Sequence, residues 1–198
     1  MKYYYMKPKF RFYPREIIDI GAALAVLIIA LSMIMSGSGS MSRVLVFVPI
    51  STLAVLTGFF LHEMSHKYTA FKYGYPAAFQ AWYIGLGIAL FSAFVGFLFA
   101  APGAVMVYGY PSKRENGIIS AAGPAMNLIL GFSLLITGLF LPQYAFTLWY
   151  VAYFNFFLAL FNLLPIPPMD GTKIISWNIA VYVLLLVGSV IGVVIFYI

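Results

Sequence analysis

Six apolar runs take up most of this 198-residue chain, and they leave few choices of fold. They cover residues 17–35, 44–70, 80–101, 118–140, 144–164 and 174–198. A helix needs about 20 apolar residues to cross the ~30 Å hydrocarbon layer of a bilayer. Lipid offers no partner to a backbone N–H or C=O, so such segments must satisfy their own hydrogen bonds as helices. Only 8% of residues are charged and 64% are hydrophobic, against roughly 25% charged in soluble domains. The chain is expected to be an α-helical integral membrane protein with about five to six transmembrane helices. Residues 1–198 are read as one membrane-embedded domain.

The eleven Lys and Arg outnumber the five Asp and Glu, for a net charge of +6. Five of the cations, Lys2, Lys7, Lys9, Arg11 and Arg15, precede the first run among Tyr3, Tyr4, Tyr5, Phe10, Phe12 and Tyr13. Such a cluster suits an anionic headgroup surface, not nucleic acid, and places the N-terminus in the cytoplasm. The first run is longer than the apolar core of a signal peptide, so it reads as an uncleaved anchor of a multi-pass protein, with the cell membrane as the expected location. The chain has no cysteine, which rules out disulfides and thiolate metal sites.

His62, Glu63, Met64, Ser65 and His66 form the pattern H-E-x-x-H near the end of the second run, and these are the only histidines. On a helix, residues four apart lie on one face one turn apart, so both imidazoles can grip one ion. That is the layout of zinc hydrolases, with the glutamate as general base toward a water. Two histidines need a third ligand. Glu16 and Asp19 lie by the N-terminal interface and Glu115 in the polar loop beside Arg114; all three are expected to be solvated, which leaves Asp170 as the third ligand if Glu63 is the base. One Zn²⁺ per chain is expected.

Asp170 also constrains topology. If residues 80–101 simply crossed the membrane, Asp170 would fall on the far leaflet from His62 and His66. Residues 80–110 are therefore expected to return to their starting side, as a helix or half-helix followed by a re-entrant extended segment around residues 102–108. Lys113, Arg114 and Lys173 then all become cytoplasmic. Gly123 and Pro124 are expected to break the fourth run near its start.

Three motifs in order, the H-E-x-x-H of residues 62–66, the A-G-P-A-M-N of residues 122–127 and the N-L-L-P-I-P-P-M-D-G of residues 162–171, resemble the site-2 protease family of intramembrane zinc metalloproteases. The resemblance covers roughly residues 55–175. It implies that His62, His66 and Asp170 hold zinc, that Glu63 is catalytic, and that Asn162 holds substrate or stabilises the transition state. It also implies a re-entrant β segment, here residues 101–109, and a transmembrane protein as substrate. Met169 stands where Leu commonly precedes Asp-Gly. The chain looks like a minimal archaeal or bacterial-type member without a PDZ-like insertion. Asn127 is either helix scaffold or a substrate contact. The alternatives are a metal transporter or sensor built on the same ligands, and a catalytically dead relative that binds membrane helices. The transporter usually carries repeated halves, and no repeat is present here. Neither alternative gives Glu63 a task.

Overall fold

The computed structural model describes residues 9–37, 40–99 and 101–198. Lys2, Lys7 and Tyr3–Tyr5 of the basic aromatic segment lie outside the described residues, as do positions 38 and 39 of the Ser/Gly turn. The protein is mostly helical: α1 (Pro14–Met35), α2 (Met41–Val55), a π-helical turn (Leu56–Phe60), α3 (Leu61–Lys72), β1 (Ala77–Ala81), α4 (Tyr83–Phe94), β2 (Gly103–Val107), α5 (Lys113–Phe140), a 3-10 turn (Pro142–Tyr144), α6 (Ala145–Asn162), α7 (Asp170–Trp177) and α8 (Ile179–Val194).

Four helical stretches among the described residues are long and apolar enough to span a membrane: Pro14–Met35, Met41–Lys72, Lys113–Phe140 and Pro142–Asn162. Tyr83–Phe94 and Ile179–Val194 are shorter apolar helices. The 12 residues of α4 reach only about 18 Å, too short for a full crossing. The excursion from β1 through α4 to β2 leaves and returns at one end of the bundle. The two strands pair antiparallel, with Ala77 opposite Val107 and Ala81 opposite Gly103. The expected return path and extended segment are thus present, together with a partner strand, β1, that the sequence did not announce.

Three further expectations are corrected. Glu16 and Asp19 are buried, not solvated. The Glu16 carboxylate accepts from Lys67 Nζ at 2.6 and 2.7 Å, from Phe79 N at 3.1 Å and from Tyr13 N at 3.1 Å. Asp19 accepts from Tyr83 Oη at 2.7 Å and from Ala81 N at 3.3 Å. A buried carboxylate needs such partners, and they come from segments far away in sequence. Gly123 and Pro124 do not break α5, which runs unbroken through both. The last run is not one span. It divides at Asn178, whose side chain accepts from Ala180 N and Val181 N and starts α8.

The main apolar core joins α1, α2 and the π-helical turn to β1, α4 and α6, through Leu27, Leu31, Val55, Phe59, Phe79, Leu86 and Val151. The Lys67–Glu16 pair fixes the start of α1 to the middle of α3. The segments that bear chemistry therefore gather at one level of the bundle: the first two turns of α3, the first turns of α5, the end of α6 and the start of α7.

Candidate metal centre

His62 and His66 sit about 15 and 9 Å short of the C-terminal end of α3, at 1.5 Å per residue. Both imidazoles are buried. Their Nε2 atoms lie 3.0 Å apart. Asp170, the first residue of α7, brings Oδ2 to 3.4 Å from His62 Nε2 and 3.1 Å from His66 Nε2. Its other oxygen, Oδ1, lies 3.7 Å from Lys173 Nζ. Donor atoms of His62, Glu63 and His66 all fall within 4.8 Å of one another. The structure thus brings together all four residues singled out in the first motif and at Asp170.

Each ring is oriented by the nitrogen facing away from the cluster. His66 Nδ1 donates to the Ile119 carbonyl on α5 at 2.8 Å. His62 Nδ1 donates to Asn127 Oδ1, also on α5. Asn127 is wholly buried, and its Nδ2 donates to Gly58 O at 2.8 Å and to Asn155 Oδ1 at 3.0 Å. Asn155 in turn donates to Thr57 Oγ1 at 2.9 Å and to Val151 O at 2.9 Å. Asn127 is thus scaffold of a particular kind: it fixes the tautomer of His62 and faces no open space. Sequence reasoning missed Asn155 and the π-helical turn that supplies Thr57 and Gly58. A buried Asn in an apolar helix was the available signal for the first. Nothing local marks the second.

With Nδ1 donating, each ring in its neutral form presents a bare Nε2 lone pair toward the same point and toward a carboxylate oxygen. In that form three acceptors converge with no donor among them, an arrangement that a cation satisfies. A tetrahedral Zn²⁺ with bonds near 2.0–2.1 Å would separate its ligand atoms by about 3.3 Å, and the observed separations are 3.0, 3.1 and 3.4 Å. The helix packed over this point contributes Gly123. A Cβ there would run into His66 Nε2 and lie 2.6 Å from His62 Nε2. The donor set, its spacing and the bare backbone beside it all fit a zinc ion.

Glu63 lies alongside, and its Oε2 accepts from Val105 N of β2 at 2.8 Å. A cavity of about 200 Å³ opens over the cluster, lined by His62, Glu63, His66, Asp170, Asn162 and the β2 backbone among others. Asn162, the last residue of α6, uses Nδ2 on the Leu158 carbonyl at 2.9 Å and borders the same cavity.

A helix-borne His-Glu-His set closed by a distant aspartate, inside a bundle of membrane-length helices, defines a membrane-embedded metallohydrolase type of site. The sequence model of peptidase family M50 matches residues 50–148 and 143–182, and the chain belongs to that family. A Methanocaldococcus jannaschii protein provisionally named a zinc metalloprotease is 42% identical over 174 residues, 85% of this chain and 87% of its own length. A Bacillus subtilis protein with the same provisional name is 32% identical over 65% of this chain and 68% of its own. A third, from Mycolicibacterium smegmatis, is 29% identical over 56% of this chain and 50% of its own. No solved structure matches. The resemblance to site-2 proteases drawn from the three motifs is thereby borne out, and the protein is a multi-pass membrane metalloprotease for which the relatives' names and the His-Glu-His cluster point to zinc.

Proposed function

We propose that this protein is an intramembrane endopeptidase that hydrolyses peptide bonds in or next to transmembrane segments of other membrane proteins. One observation carries the proposal: two Nε2 atoms and an Asp170 oxygen converge within 3.4 Å of one another, beside Glu63 and a strand edge, about two to three turns from the C-terminal end of α3 in a bundle of apolar helices. His62, His66 and Asp170 would hold one zinc ion per chain. When bound, zinc supplies a Lewis acid that acidifies a water in its open position and polarises the scissile carbonyl.

The remaining work falls to this chain's own groups. Glu63 accepts the proton of the attacking water on a carboxylate oxygen and returns it to the leaving nitrogen. Asn127 and the Ile119 carbonyl keep both imidazoles aimed, as partners behind metal ligands do. Asn162, at the cavity wall, holds the substrate chain or the oxygen that gains charge. A helical substrate shields its peptide bonds with its own hydrogen bonds, so it must unwind before it is cut. The β1–β2 pair offers the unwound segment replacement partners by strand addition.

The N-terminus is proposed to be cytoplasmic and the membrane to be the cell membrane. Water then enters from the cytoplasmic end, to which His66 lies nearer. The test compares wild type with Glu63→Gln on a model transmembrane substrate. Zinc content is expected to be equal, and cleavage is expected to be slower in the variant by roughly 100-fold or more. Equal cleavage by both would refute the reading, and metal flux without cleavage would replace it by a transporter.

A further inference from the structure

The two-stranded sheet has two outer edges, and the protein treats them differently. The rungs Trp82 N to Pro102 O at 3.1 Å and Tyr108 N to Pro76 O at 2.8 Å fix which residues pair inward. In an antiparallel ladder the alternate residues then point their N–H groups outward. On β1 these are Ala77, Phe79 and Ala81, and the last two are already taken: Glu16 accepts from Phe79 N and Asp19 from Ala81 N. Two carboxylates of α1, one turn apart, thus occupy two of the three outward donors of that edge, its centre and one end.

On β2 the outward N–H groups are those of Gly103, Val105 and Val107, whose partners across the ladder are Ala81, Phe79 and Ala77. This edge borders the cavity above His62 and His66. Its central donor, Val105 N, holds Glu63 Oε2 at 2.8 Å. A carboxylate held this way has one oxygen committed to the strand. An incoming extended segment that pairs along β2 must offer a carbonyl to the same N–H. The substrate backbone and the Glu63 carboxylate therefore compete for one donor.

We propose that Val105 N–H is a latch: it restrains Glu63 in the free enzyme and passes to a carbonyl of the arriving substrate strand, so that the base is freed only when a strand is seated. This deepens the protease reading and rests on it. Only hydrogen bonds change hands, one broken at Glu63 and one formed to the substrate. Val105 is a positioning residue acting through its backbone, and Glu16 and Asp19 favour β2 for the substrate by holding two of the three outward donors of β1.

The test uses the full chain, zinc-loaded in liposomes, with two probes: a transmembrane substrate long enough to pair along β2, and a chromogenic peptide too short to do so. Val105→Pro deletes the one N–H in question. Because that N–H points away from β1, the ring removes no rung of the hairpin. Cleavage of the long substrate is expected to fall at least tenfold, chiefly through KM, while cleavage of the short peptide rises several-fold because Glu63 starts unrestrained. A parallel fall in both with zinc retained, or no change in either, overturns the latch. If Val105→Pro does not fold, replacing Val105 by its α-hydroxy acid deletes the same donor and is judged by the same outcomes.

A second readout is independent of turnover. The chain has no cysteine, so Met106→Cys in a Glu63→Gln background can be disulfide-trapped against a cysteine scan of the substrate. Trapping at alternate substrate positions in one register is expected, and weakened trapping when Val105→Pro is added. A helical three-to-four-residue spacing, or no preferred register, overturns the proposal. Wild type that cleaves the long substrate while the Val105 variants behave like it would sink the latch and spare the protease. Wild type that cleaves nothing when loaded would sink the protease reading, and the trapping pattern would then decide the strand edge by itself.

Discussion

Asn127 does more for the site than its place in an apolar helix suggests. It accepts from His62 Nδ1 and is itself held by Gly58 and Asn155. Loss of a partner behind a metal-binding histidine typically costs 10–100-fold in affinity. Asn127→Ala is therefore expected to weaken zinc binding by about that factor, checked by competition with a chelator, whereas His62→Ala, His66→Ala and Asp170→Ala should abolish it. Lys67 gives a second prediction. It is buried against Glu16 and under the rings of Phe10 and Phe12. Removing one partner of a buried pair costs about 3–5 kcal/mol, because the other charge is left unpaired. Lys67→Met should lower the thermal midpoint in detergent by several degrees, and adding Glu16→Gln should restore part of the loss in a double-mutant cycle. The contrast between these residues marks what a sequence can convey. His62, Glu63, His66 and Asp170 are legible because their chemistry is rare in so apolar a chain. The burial of Glu16 is not legible, because its partners Lys67 and Phe79 lie 51 and 63 positions away.

Among the elements, the helices were legible from hydropathy and their joints were not. Asn178 ahead of Ile179 carried a readable N-cap signal, yet continuous hydropathy across 174–198 concealed it. Gly123 and Pro124 look like a break in α5, and the structure gives Gly123 another meaning. It is the point where α5 passes so close to α3 that the histidine rings rest on its bare backbone. Gly123→Ala should keep the helix and weaken zinc binding, since the added methyl runs into both ligand nitrogens. Normal helix content with at least tenfold weaker metal binding is the expected result, read by circular dichroism and metal analysis. β1 escaped notice because Ala77–Ala81 runs straight into an apolar helix. Its strand character comes from pairing with β2 and from the α1 carboxylates, not from its own composition.

At the scale of the molecule, the Glu16–Lys67 pair, the Ile119–His66 bond and the Asp170 contacts place the starts of α1, α5 and α7 at the level of the middle of α3. If that level faces the cytoplasm, single cysteines at Ser112 and Ser176 should be modified from the cytoplasmic side, and one at Gln143, in the turn at the far end of α5, from the opposite side. Labelling of Ser112 and Gln143 from the same side would contradict the arrangement. The return of residues 80–110 to their starting side was legible only because a metal site forced it: one aspartate had to reach two histidines.

The most direct trial of the whole account is cleavage of a defined transmembrane substrate by zinc-loaded protein in liposomes, with wild type beside Glu63→Gln and the products weighed by mass spectrometry. Wild type should yield two fragments cut within or beside the membrane segment. The variant, with the same zinc content, should be slower by roughly 100-fold or more, as befits loss of a general base. Fragments appearing at equal rates from both proteins would contradict it.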